Sequence, residues 1–108
     1  TIASAQSITA TAASIAASLA STTDNDYYRV SIPAGRKLVA TVTPSSKTGV
    51  GLGIYQTSGK ALLVTSGGAG AARQITVTNA GTAALTVAVR VMFATGTKGA
   101  YTLALSQP

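Results

Sequence analysis

An antiparallel β-sandwich is the fold this sequence predicts, and three observations predict it. Apolar and polar residues alternate with a period of two through segment after segment. Clusters of Gly, Pro, Asn and Ser punctuate those segments at short intervals. Only 9% of the residues are charged, so Ser and Thr supply most of the polarity and Ala, Val, Leu and Ile most of the core. A β-branched, Ser/Thr-rich, Gly-punctuated chain of this kind favours sheet over helix. About seven to nine short strands separated by turns pack as two sheets face to face.

The first segment, residues 1–21, carries two signals. Its Ala richness favours helix, and Ile8, Ile15 and Leu19 sit at helical spacings. Yet Ser and Thr are dense, and Ile15, Ala17 and Leu19 alternate with Ala16, Ser18 and Ala20. We read a short strand from Ser7 to Ala10 and another from Ala13 to Ser21, a helical or loose leader being the alternative. The polar turn at Thr22 to Asp26 opens a clear strand. Tyr28, Val30 and Ile32 share one face of it, Tyr27, Arg29 and Ser31 the other, and Pro33-Ala34-Gly35 ends it. In Lys37 to Thr43, Leu38, Ala40 and Val42 share a face, and residues 44–49 form a loop by turn chemistry.

Val50 to Gln56 alternates Val50, Leu52 and Ile54 against Gly51, Gly53 and Tyr55. Glycines along one strand face mark a bulge or the close approach of another backbone. Thr57 to Lys60 is a hairpin-type turn, Ala61 to Ser66 a strand and Gly67 to Ala72 a loop. Arg73 to Asn79 is a strand with Ile75 and Val77 inward. Ala84 to Phe93 has the longest clean alternation, with Leu85, Val87, Val89, Val91 and Phe93 on one face, and is the central strand. Ala100 to Leu105 closes the fold with Tyr101, Leu103 and Leu105 on one face, and residues 106–108 read as the domain end.

A chain of 108 residues is one domain, spanning residues 1–108. The net charge of +6 arises because Asp and Glu number two against eight Lys and Arg, not because bases cluster. No basic run and no RNA-binding aromatic motif is present, so a nucleic-acid partner is not expected. The absence of Cys excludes disulfide and thiolate chemistry. No run of 18 apolar residues exists, so no membrane helix is expected. The start at Thr1, without Met or a basic n-region, suggests a domain cut from a longer chain or a processed product. A monomer is expected.

The candidate functional residues are few. Asp24 and Asp26 are paired carboxylates, but acid–base chemistry also needs a nucleophile or activated water in a pocket. With no His and no Cys in the chain, the alternative is that both accept backbone hydrogen bonds in the turn. Ser31, Ser45, Ser46 and Ser58 show no spacing that would pair one with a lysine base. The Gly-rich segments lack the Gly-Lys-Ser/Thr of a phosphate loop. Tyr27, Arg29, Tyr55, Arg90 and Met92 lie opposite the main apolar faces of their strands. On one sheet face they would make an aromatic and cationic binding patch; the alternative is a solvated outer surface. Tyr28 and Tyr101 pack in the core with their hydroxyls at its edge.

The order of motifs resembles the bacterial pre-peptidase C-terminal domain. The residues that carry the resemblance are Asp24-Asn25-Asp26-Tyr27-Tyr28, Ile32-Pro33-Ala34-Gly35, Leu38 to Val42, Gly51-Leu52-Gly53-Ile54-Tyr55, Ser58-Gly59 and Gly99-Ala100-Tyr101-Thr102-Leu103. They cover nearly the whole chain. The resemblance implies a sandwich of jelly-roll type, similar to the collagen-binding domains of clostridial collagenases. It implies a non-catalytic C-terminal accessory domain of a secreted bacterial protease, acting in substrate tethering, secretion or maturation. The partner would be an insoluble protein polymer or the parent catalytic domain. A carbohydrate-binding or cell-surface adhesion module on the same fold is the alternative. The collagen-binding relatives carry several acidic calcium ligands, some ahead of the sandwich, whereas residues 1–23 here hold no Asp or Glu. Calcium takes six to eight oxygens, so Asp24 and Asp26 would make a weak site at best, and no cofactor is expected.

Overall fold

The structure, a computed structural model, describes residues 6–8, 12–19 and 25–107. Among the described residues nine strands follow in order: β1 (Gln6–Ile8), β2 (Ala12–Ser18), β3 (Asn25–Ile32), β4 (Lys37–Pro44), β5 (Thr48–Gln56), β6 (Ala61–Ser66), β7 (Arg73–Thr78), β8 (Leu85–Gly96) and β9 (Ala100–Ser106). They form two sheets, one ordered β1-β3-β8-β5-β6 and the other β2-β9-β4-β7. Within the sheets β2 pairs with β9, β3 with β8, β4 with β7 and β5 with β6, ranks that always sum to eleven. That is one long hairpin folded about its middle and rolled up, which is the jelly roll.

The pairing departs from the expected antiparallel pattern at one edge. β1 runs parallel to β3, with Gln6 opposite Tyr28 and Ile8 opposite Val30. Parallel neighbours need a long crossover, and β2, lying in the facing sheet, is part of that crossover. Strand limits also shift. β2 begins at Ala12, and the rest of the segment read as strand up to Ser21 ends at Ser18. β5 begins at Thr48 and β8 extends to Gly96, because their ladder continues past a register shift at Gly49/Val50 to pair Thr48 with Gly96. The loop expected over residues 44–49 is correspondingly short. Thr48 is buried there, with its hydroxyl 2.8 Å from that of Ser45.

Alternation decides which side chains meet between the sheets. Val87, Val89 and Val91 of the central β8 are fully buried, as are Val50, Leu52 and Ile54 of β5 and Leu38, Ala40 and Val42 of β4. Leu103 and Leu105 of β9 close the core from the facing sheet. Polar ties fix the corners. The buried Asn79 side chain donates to the carbonyls of Ile32 (2.9 Å) and Ala83 (2.8 Å) and accepts from the Gly81 amide (3.1 Å). The Gln107 amide donates to the Ser31 carbonyl at 2.7 Å. The Pro-Ala-Gly turn works because Gly35 takes φ 74°, a region that costs a side chain but not glycine.

Candidate functional site

Strand geometry places the site. Tyr28 and Val30 of β3 point into the core, so Tyr27 and Arg29 point out. The same logic turns Arg90 and Met92 of β8 and Tyr55 of β5 outward. Register then brings them together: Tyr27 lies opposite Arg90, Arg90 opposite Gly53, and Met92 opposite Gly51. Arg29 and Tyr55 both lie opposite Ala88, from its two sides. All five residues proposed from the sequence therefore occupy one outer face of the five-stranded sheet, each half-buried.

Arg90 is the centre of this face. Its guanidinium carbon sits 5.8 Å from the ring centroid of Tyr27 and 5.8 Å from that of Tyr55, within the range of cation–π attraction. Its Nη1 also donates to the Tyr55 hydroxyl at 3.3 Å. The glycines of β5 make the arrangement fit. A Cβ on Gly53 would lie 2.5 Å from Cε1 of Tyr55, and one on Gly51 would lie 2.8 Å from Cγ of Met92. β5 shifts register on either side of this pair, at Gly49/Val50 against β8 and at Ile54/Tyr55 against β6, while over Gly51 and Gly53 themselves it is side chains of the same face that lie close, not a second backbone. That cover explains why β5 is buried on both faces from Thr48 to Ile54. The sequence signal was Gly-x-Gly-x-Tyr, three same-face positions ending in an aromatic.

Asp26 is not a turn residue. It lies in β3 opposite the buried Val91 and so faces inward. Its Oδ2 accepts the Tyr101 hydroxyl at 2.6 Å, and the turn residues ahead of it, whose amides it was expected to bind, lie outside the described residues. Tyr101 in turn accepts from Tyr28, oxygen to oxygen 2.6 Å. The chain Tyr28–Tyr101–Asp26 thus ties the two sheets: the rings are buried, as expected, and their hydroxyls meet each other and lead out to the half-buried Asp26. Burial pushes the Tyr101 phenol well above its ordinary range, and its hydrogen bonds to Asp26 and Tyr28 push the same way. Burial also raises Tyr28, against the lowering effect of its bond to Tyr101. Both hydroxyls stay protonated, so neither serves as a base or nucleophile near neutral pH.

Asp24 lies outside the described residues, so the Asp24–Asp26 calcium pair is not seen together. Among the described residues no three His, Cys, Asp or Glu side chains form a group that would hold a metal. Ser45 bonds to Thr48, and Ser58 donates to Gln56 at 3.4 Å; neither contact is to a lysine. A shallow, open depression lies against Tyr101, Pro44 and Ala17 at one end of the four-stranded sheet.

No family model and no curated protein sequence matches the chain. Solved structures do. The pre-peptidase C-terminal domain of collagenase from Bacillus anthracis superposes with a TM-score of 0.70 over 94% of each chain, at 14% identity. The Aeromonas hydrophila PliG, a periplasmic inhibitor of g-type lysozyme, gives 0.68 over 95% of this chain and 96% of its own, at 16% identity. A CBM4 structure gives 0.59 over 88% of this chain and 71% of its own, at 14% identity. At such identities the likeness is one of fold. The chain therefore has the sandwich fold of the pre-peptidase C-terminal domain that its motifs resemble.

Proposed function

We propose that this chain is a non-catalytic accessory domain of a secreted bacterial protease, which holds its parent on an insoluble extracellular polymer. The observation that carries the reading is the Arg90 guanidinium flanked by the Tyr27 and Tyr55 rings on an outer sheet face. Tyr and Arg are the residue types that anchor interfaces, and a tether acts by raising effective concentration, without chemistry of its own. The lack of His and Cys and the protonated core tyrosines agree with a non-catalytic role. The motif resemblance and the likeness to the collagenase domain support a protease parent and a protein polymer. A second reading, a carbohydrate-binding or adhesion module, is favoured by the paired rings on an outer sheet face and by the likeness to CBM4.

Pull-down on insoluble collagen, keratin, chitin and cellulose tests the proposal. Retention on one of them, lost in Tyr55→Ala, supports it. Retention on none of these, nor on any other extracellular polymer, points to secretion or maturation, checked by deleting the domain from its parent and following export.

A further inference from the structure

We infer that the outer face of the five-stranded sheet recognises a carboxylate-bearing glycan, such as a polyuronate. The inference rests on the tethering reading and decides between its two polymers. Register draws one straight row across four strands: Tyr27 of β3, Arg90 of β8, Gly53 of β5 beneath the Tyr55 ring, and Val64 of β6. Three strand spacings make this row roughly 14 Å long. Val64 ends it as one of the two exposed large hydrophobic side chains among the described residues, at 53%.

The row is charged in one sense. Arg29 and Arg90 are on this face, and Asp26, the one acid among the described residues, is turned inward to Tyr101. The whole chain carries +6, so the face complements an anion. The chemistry further favours a glycan over a peptide. On a sheet face the backbone N–H and C=O groups are engaged in the ladder, so a peptide laid there finds no main-chain partner; peptides are read at sheet edges or in grooves. A sugar acid needs no such partner. Its flat C–H faces lie on apolar and aromatic side chains, and its carboxylate matches the planar fork of arginine.

The test measures binding of the chain to soluble polygalacturonate, to the same polymer with its carboxylates methyl-esterified, to oligo-dT and to insoluble collagen. Polygalacturonate should bind at least about tenfold more tightly than its methyl ester. Arg90→Gln should weaken that binding about tenfold, whereas Lys98→Gln, which removes the same charge from an exposed turn, should change it less than about twofold. Gly53→Ala, which disturbs the Tyr55 ring and deletes no contacting group, should also weaken it, with circular dichroism confirming that each variant is folded. Equal affinity for the ester, equal losses from Arg90→Gln and Lys98→Gln, or tighter binding of oligo-dT would each overturn the inference. Binding to collagen without polygalacturonate would overturn it and leave the tethering reading standing. Binding to none of these polymers, nor to keratin, chitin or cellulose, would remove both.

Discussion

Replacing Tyr101 by Phe removes a single oxygen from the core and should cost more than any other loss of one hydroxyl. Tyr101 is 2% exposed; its hydroxyl donates to Asp26 at 2.6 Å and accepts from Tyr28 at 2.6 Å. Its loss takes a charge-assisted hydrogen bond from Asp26, worth about 1.5–3 kcal/mol, and leaves the Tyr28 hydroxyl buried without an acceptor, a penalty of about 1–3 kcal/mol. Asp26 is only half-buried, so water compensates part of its loss. The net expectation is about 2–4 kcal/mol. Tyr28→Phe leaves the Tyr101–Asp26 bond intact and should cost only about 1 kcal/mol. Urea titration followed by circular dichroism measures both, with an unchanged m-value showing that the denatured state is not altered. The two single variants should also couple in a double-mutant cycle. Equal costs for the two variants, or a cost for Tyr101→Phe below about 0.5 kcal/mol, the ordinary range for a surface change, would refute the direction and weight of this hydrogen-bond chain.

The remaining predictions draw on the same geometry. Tyr28 and Tyr101 have folded phenol pKa values raised above the unfolded value near 10, so above pH 10 the unfolded chain releases protons that the folded one keeps. Stability should thus be insensitive to these groups below pH 10 and fall as pH rises beyond it, by up to about 1.4 kcal/mol per pH unit for each tyrosine; Tyr101→Phe should make the fall shallower in alkaline urea titrations. Gly53→Ala should change stability by less than about 1 kcal/mol, because the gain in strand rigidity offsets the lost cation–π contact. NMR contacts between the Tyr55 ring and the Arg90 side chain should disappear in that variant. Val89→Asp places a charge where Val89 is fully buried between the sheets, and loss of the β-sheet circular dichroism signal at neutral pH is expected.

Much of the fold was legible because alternation is a local property. Each of β3 to β9 follows from its own residues, and the run of Leu85, Val87, Val89 and Val91 marks the strand that turned out to be flanked on both sides. The parallel edge was not legible. β1 is three residues long, and what makes it parallel is the path of the chain between the sheets, which no local pattern records. The register shifts at Gly49/Val50 and Ile54/Tyr55 are hidden for the same reason. Asn79 reads as a turn residue, which it is. Its second role, bonding to Ile32, joins positions 47 residues apart and emerges only from packing.

The site shows where local reading stops. Outward position for Tyr27, Arg29, Tyr55, Arg90 and Met92 follows from parity along each strand, and parity is readable. That they converge depends on register between strands, and register is set by which apolar residues meet inside. Tyr27 faces Arg90 because Tyr28 faces Val89 in the core, one position along each strand. The outer face is thus fixed by the inner one: the oily contacts that hold the sheets together also align the cation with its rings. A core substitution that slipped β3 by one residue would turn Tyr27 and Arg29 inward without touching either. The glycines add the last condition. Gly51 and Gly53 cost the strand some rigidity, and the compensation lies on the opposite side of the sheet from the core, in a Met and a Tyr that lie flat beside Arg90.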